Sequence, residues 1–142
     1  MFKVVDFPDV TDVAFAIAEE PNEGRYRKPV YSSYLMNLHD KAIEKVYVHS
    51  RLVDVFGGKG PAVLRPDRQH ERVTFYRQVA PLSALKIESI ISAELKLHNQ
   101  YWVSFYLGNE LFHRRFFFVA NSVQEKNFTA LPLLEERGIL IK

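Results

Sequence analysis

Ser104 and His113 come nearest in this chain to a catalytic pair. If Gly108–Asn109 forms a two-residue turn, Ser104 falls opposite His113, where an imidazole could take a hydroxyl proton. No third residue is evident to orient the imidazole, and neither a GxSxG motif nor an oxyanion loop is present, so no catalytic residue is assigned. The five histidines (His39, His49, His70, His98 and His113) show no HxH, HxxxH or HExxH spacing, and there is no cysteine to complete a zinc set. The expectation is therefore no metal and no cofactor. Gly57–Gly58–Lys59–Gly60 lacks the GxxxxGK[ST] arrangement of a phosphate loop, and Pro61 follows it. Glu19–Glu20 and Glu135–Glu136 are sequence neighbours. Neighbours on a strand point to opposite faces, so neither pair makes an acid/base dyad.

Cationic side chains offer a second chemistry. Arg65, Arg68, Arg72 and Arg77 with Lys59, and Arg25, Arg27 and Lys28 in an earlier loop, could hold an anion if these loops met at one end of the fold. Lys and Arg number 19 against 17 Asp and Glu, a net charge of +2, too small to single out nucleic acid as the main partner.

The strongest surface candidate is aromatic and basic. With Gly108–Asn109 as the turn, Tyr106 pairs with Leu111, Ser104 with His113 and Trp102 with Arg115, all on one face. The other face carries Tyr101, Val103, Phe105, Phe112 and Phe116 and reads as core. Arg114, opposite Val103, breaks that pattern, which suggests a bulge at Arg114–Arg115. Trp102, Tyr106, His113 and Arg115 then form a patch rich in the residue types of binding hot spots. Trp102 and Arg115 could also stack across the strands.

The elements that must position these residues are strands. The 142 residues suit one domain, and 11 Phe, 7 Tyr and 1 Trp suit a pleated, half-buried surface. Val13–Ala18 reads as a strand. Val30 to Arg51 reads as a hairpin turning at the polar Asp40–Lys41 break, with Val46 and Val48 on one face and Tyr47 and His49 on the other. Residues 55–70, with three Gly and two Pro, read as the longest loop. Val73, Phe75 and Arg77 alternate with Thr74, Tyr76 and Gln78. Residues 83–97 fit either a strand, preferred over Leu85–Ile91, or a helix with Ser83 as its cap. Ile139–Lys142 closes the chain as a short strand after Gly138.

Six to eight short strands with regular turn signals predict an all-β, antiparallel two-sheet sandwich with at most one short helix. The run NLHDKAIEKVYVH at 37–49 and the run APLSALKIESI at 80–90 resemble the central hairpin of immunoglobulin-like domains, especially adaptor-appendage sandwiches, and the Pro-then-strand passage after it. YWVSFYLGNELFHRRFFFV at 101–119 would be the last long hairpin. This resemblance covers about residues 30–120 and implies a superfold rather than a function. The N-terminus has no signal-peptide h-region, and no apolar run approaches the ~20 residues of a membrane span, so a cytoplasmic, non-membrane chain is expected. Together these features point to a non-enzymatic interaction module that binds a protein partner, or a second copy of itself, through the Trp102 face. The alternative is an anion or nucleic-acid binder using the Arg-bearing loops.

Overall fold

The computed structural model describes residues 12–21, 30–53 and 71–142. Nine strands follow in order among them: β1 (Val13–Glu20), β2 (Val30–Asn37), β3 (Ile43–Val53), β4 (Glu71–Val79), β5 (Ser83–Ile91), β6 (His98–Leu107), β7 (Glu110–Phe118), β8 (Thr129–Ala130) and β9 (Arg137–Ile141). They form two antiparallel sheets, one ordered β5-β2-β1-β9-β8 and the other β4-β3-β6-β7. The all-β sandwich expected from the alternation is the observed architecture.

Alternation sets what lies between the sheets. Along β6, Asn99, Tyr101, Val103 and Phe105 are buried while Trp102, Ser104 and Tyr106 on the other side are half-buried. Tyr101, Phe105, Phe112, Phe116 and Phe118 from the four-stranded sheet meet Val13, Phe15, Ile17 and Leu35 from the five-stranded sheet. Phe15 is the hub. Its ring stacks on Tyr101 at 4.2 Å and on Phe116 at 5.5 Å, the second within the range where aromatic pairs add to simple burial.

Val30 to Arg51 is not a hairpin. β2 pairs with β1 and β5, whereas β3 pairs with β4 and β6 in the other sheet. The polar break at residues 38–42 is a crossover between sheets, held by Asn37. Its Nδ2 donates to the carbonyls of Lys41 (2.8 Å), Val79 (3.2 Å) and Ala80 (3.1 Å), and its Oδ1 accepts from the His39 amide (3.0 Å). One buried amide thus ties the β2–β3 crossover to the β4–β5 crossover. A polar turn between two alternating runs looks the same in sequence whether the chain turns back or changes sheet.

The ambiguous stretch 83–97 divides. It is strand through Ile91 and then one 3-10 turn, Ser92–Lys96, in which Glu94 Oε1 accepts from the Ile91 amide at 3.0 Å. A second 3-10 turn spans Glu125–Asn127. Among the described residues no helix is long and apolar enough to cross a membrane.

Candidate functional site

The β6–β7 hairpin has the register that a Gly108–Asn109 turn requires: Phe105 opposite Phe112, Tyr106 opposite Leu111, Ser104 opposite His113 and Trp102 opposite Arg115. Gly108 takes a φ of +63°, while Asn109 is not among the positive-φ residues. A positive φ at the first central position alone is the pattern of a type II′ turn, where glycine carries no Cβ penalty. The pairing runs unbroken from Leu107–Glu110 to Asn99–Phe118, so there is no bulge at Arg114–Arg115. Arg114 keeps its inward position by reaching the other sheet. Its guanidinium donates to the Val13 carbonyl at 3.2 Å and lies 4.9 Å from the centre of the Phe116 ring. An inward-pointing charge that finds a partner of this kind also discourages strand addition at a sheet edge.

The structure brings Trp102, Tyr106, His113 and Arg115 onto the outer face of the four-stranded sheet. His113 and Arg115 are exposed, and Trp102 and Tyr106 are half-buried. The half-burial comes from neighbours on other strands. Trp102 lies 5.3 Å from His49 on β3 and 5.9 Å, edge-on, from Phe117 on β7. Arg115 does not stack on Trp102. It sits over Phe117 at 5.4 Å, one ring further along its own strand, because Phe117 occupies the space beside the indole. Tyr106 is covered by the Lys45 ammonium at 5.4 Å. Lys45 stands at a bulge in β3 with a φ of 50°, which throws Glu44 and Lys45 together onto the outer side.

Three further strand neighbours complete the surface: Tyr47, Phe75 and Val73. Tyr47 pairs with Phe75 and with Ser104, and His49 pairs with Val73 and with Trp102, so two rows cross the sheet. The Tyr47 and Phe75 rings lie 4.9 Å apart and are 49% and 52% exposed, and Phe117 is 43% exposed. Tyr47, His49, Trp102, Ser104, His113 and Arg115 surround an open concavity of about 570 Å³. Among the described residues no carboxylate lines it. His49 Nε2 lies 3.1 Å from Glu71 Oε1 but off the line of a hydrogen bond, and Arg51 Nε lies 3.8 Å from the other oxygen of Glu71. The concavity therefore offers aromatic faces, a hydroxyl, two imidazoles and a guanidinium. This set suits an apolar group flanked by an acceptor or a carboxylate.

The Arg-bearing alternative is only partly visible. Lys59, Arg65 and Arg68 lie outside the described residues, as do Arg25, Arg27, Lys28 and the Gly57–Gly60 run. Arg72 is exposed on β4 opposite Ser50, on the inner side of the strand, away from the aromatic face. His39 and His49 stand far apart in role, one in the crossover and one on β3, and no group of three or more His, Asp or Glu is disposed for a metal among the described residues. Tyr47, His49 and Phe75 were on the alternating side of their own runs. What sequence alone could not supply was that β3 is the central neighbour of β6, because that pairing joins residues about fifty positions apart. Neither a family model, nor a curated protein, nor a solved structure matches this chain.

Proposed function

We propose that this chain is a non-enzymatic interaction module. Its binding surface is the outer face of the four-stranded sheet centred on Trp102, and its partner is a protein presenting an apolar side chain beside a carboxylate. The observation that supports this is the exposed aromatic pair Tyr47–Phe75 continuing through Trp102 to Phe117, with His113 and Arg115 at its margin. An antiparallel sheet commonly turns one face to water, but that face is then usually polar. Here the large rings are outside although the core already holds Phe15, Tyr101, Phe105, Phe112, Phe116 and Phe118. Aromatic anchors supply contact area at low entropic cost, and the cations select an acidic rim.

The test uses the full chain as bait in native lysate, beside Trp102→Ala and Arg115→Glu baits with matched urea midpoints. The proposal expects a protein retained by the parent chain and lost from both variants. It expects the purified protein to bind the parent directly, with affinity reduced on Arg115→Glu at every salt concentration. A protein held equally by all three baits would refute this reading. Loss that follows salt alone and spares Trp102→Ala would favour a charged-loop site instead.

A further inference from the structure

The edge of the four-stranded sheet opposite β7 is β4, and its sequence is complementary to itself. Among the described residues β4 pairs with β3 on one side and with nothing on the other. It is nine residues long, and it exposes Val73 (63%) and Phe75 on the outer side. A nine-residue edge left unpaired among the described residues is a ready template for another strand. β7, the other edge of the sheet, carries the inward Arg114 tied to the Val13 carbonyl; the inward Arg72 of β4 is exposed.

A two-fold axis normal to the sheet leaves outer residues outer, so it can pair β4 with a second β4 only in registers that match residues of like facing. With the axis through Thr74, Glu71 meets Arg77 of the second copy, Arg72 meets Tyr76, Val73 meets Phe75 and Thr74 meets Thr74. Opposite charges, an aromatic with a β-branched residue, and Thr with Thr are the pairs that stabilise antiparallel strands, and a guanidinium suits a Tyr face. Moving the axis to Phe75 sets Val73 against Arg77 and Glu71 against Val79. Moving it to Val73 sets Glu71 against Phe75. Of these three registers only the one about Thr74 sets Glu71 against Arg77. Among the described residues Arg77 has no ion pair of its own, so an acidic partner is the missing complement.

We infer that β4 is the interface for a second copy of this chain. Two β4 strands pair antiparallel about Thr74, joining two four-stranded sheets into one eight-stranded sheet. This goes beyond the binding face centred on Trp102: it shares Val73 and Phe75 with that face but uses the backbone edge of β4. Its outcome is separable, because Trp102 lies two strands away from the β4 edge.

The experiment is sedimentation equilibrium of the full chain, with charge reversal. The parent chain should be a dimer at about 0.1 mM. Glu71→Arg or Arg77→Glu alone should weaken dimerisation by roughly tenfold or more, since each reversal places like charges opposite at two symmetric sites. The double variant Glu71→Arg/Arg77→Glu should restore it. The chain has no cysteine, so Thr74→Cys gives a clean second readout. Paired residues across antiparallel strands have Cα atoms about 4.5–5.5 Å apart, within disulfide range, so mild oxidation should link Thr74→Cys into dimers while Gln78→Cys stays unlinked. A monomeric parent chain would overturn the inference. So would a dimer that the double variant fails to restore, or one that is abolished by Trp102→Ala while the β4 variants leave it intact.

Discussion

The two sheets present opposite outer surfaces. On the five-stranded sheet the outward residues of β1 are Ala14, Ala16 and Ala18, all fully buried, with Met36 and Leu131 beside them and Tyr34, Leu134 and Leu140 packed around. Small side chains let the segment around Leu131 and Leu134 lie close over the strands. On the four-stranded sheet the outward residues include Tyr47, Phe75 and Phe117, each about half exposed, and the half-buried Trp102. Among the described residues, therefore, the face built of small residues is shielded and the face built of large rings is left the barer of the two. Burial of apolar area is the main stabilising term in folding, so the bare face represents stabilisation that the isolated chain leaves unused. That difference is the physical reason to place binding on one outer surface and structure on the other.

The comparison can be broken by substitutions on the inside and outside of one hairpin. Phe105 and Phe112 are buried and stacked at 5.6 Å. Truncating either to Ala should cost ~3–5 kcal/mol in denaturant unfolding. Trp102→Ala and Phe75→Ala should each cost less than about 1 kcal/mol, the scale of a cross-strand pair. Comparable losses inside and outside would mean that the aromatic face is structural. The two outer faces can be set against each other directly with a lysine. Ala16→Lys buries an unpaired charge beneath the Leu131 segment and should cost at least ~3 kcal/mol, while Phe75→Lys should cost under about 1 kcal/mol.

The closeness of the covered layer has a backbone counterpart at Gly138. A Cβ there would stand 2.0 Å from the Ile17 carbonyl oxygen, so β9 can approach β1 only as glycine. Gly138→Ala should lower stability by ~2–3 kcal/mol, measured as a reduced urea midpoint, whereas Ser104→Ala on the bare face should leave it nearly unchanged.

A smaller effect appears with pH. Tyr34, beside the covered face, donates to Glu20 Oε1 at 2.7 Å, and its pKa is raised above 10.0, first by burial and then by that hydrogen bond. Tyr31 and Tyr76 are raised as well, again mainly by burial. A raised phenol favours the neutral folded form. Its contribution is complete below pH 10 and is lost as the pH rises beyond it. Unfolding followed from pH 8 to 11 should show stability falling above about pH 10, less steeply in Tyr34→Phe. The smallest expected change is at Lys45, whose left-handed backbone strains a side-chain-bearing residue. Lys45→Gly should be neutral to stabilising by up to about 1 kcal/mol in thermal unfolding.

Local chemistry was legible in the sequence; distant pairing was not. Gly108–Asn109 specified the β6–β7 register because two residues of backbone decide it, and the faces of that hairpin followed from period-2 alternation. The sheet change at residues 38–42 depends on where the Asn37 amide finds carbonyls, and two of the three belong to residues more than forty positions away. Arg114 looked like an error in the pattern until the Val13 carbonyl came within reach from the other sheet. For the candidate site, Trp102, Tyr106, His113 and Arg115 could be placed on one face. Tyr47, His49 and Phe75, which make that face a surface, arrive through β3 and β4.

Trp102 is the chain's one tryptophan and stands at the centre of the bare face, so its fluorescence tests the central claim most directly. Acrylamide quenching should be measured on the free chain and on its complex with the protein captured by the parent bait. The account predicts ready quenching in the free chain, with protection and a blue-shifted emission in the complex. An indole equally accessible in both states while the partner remains bound would contradict it.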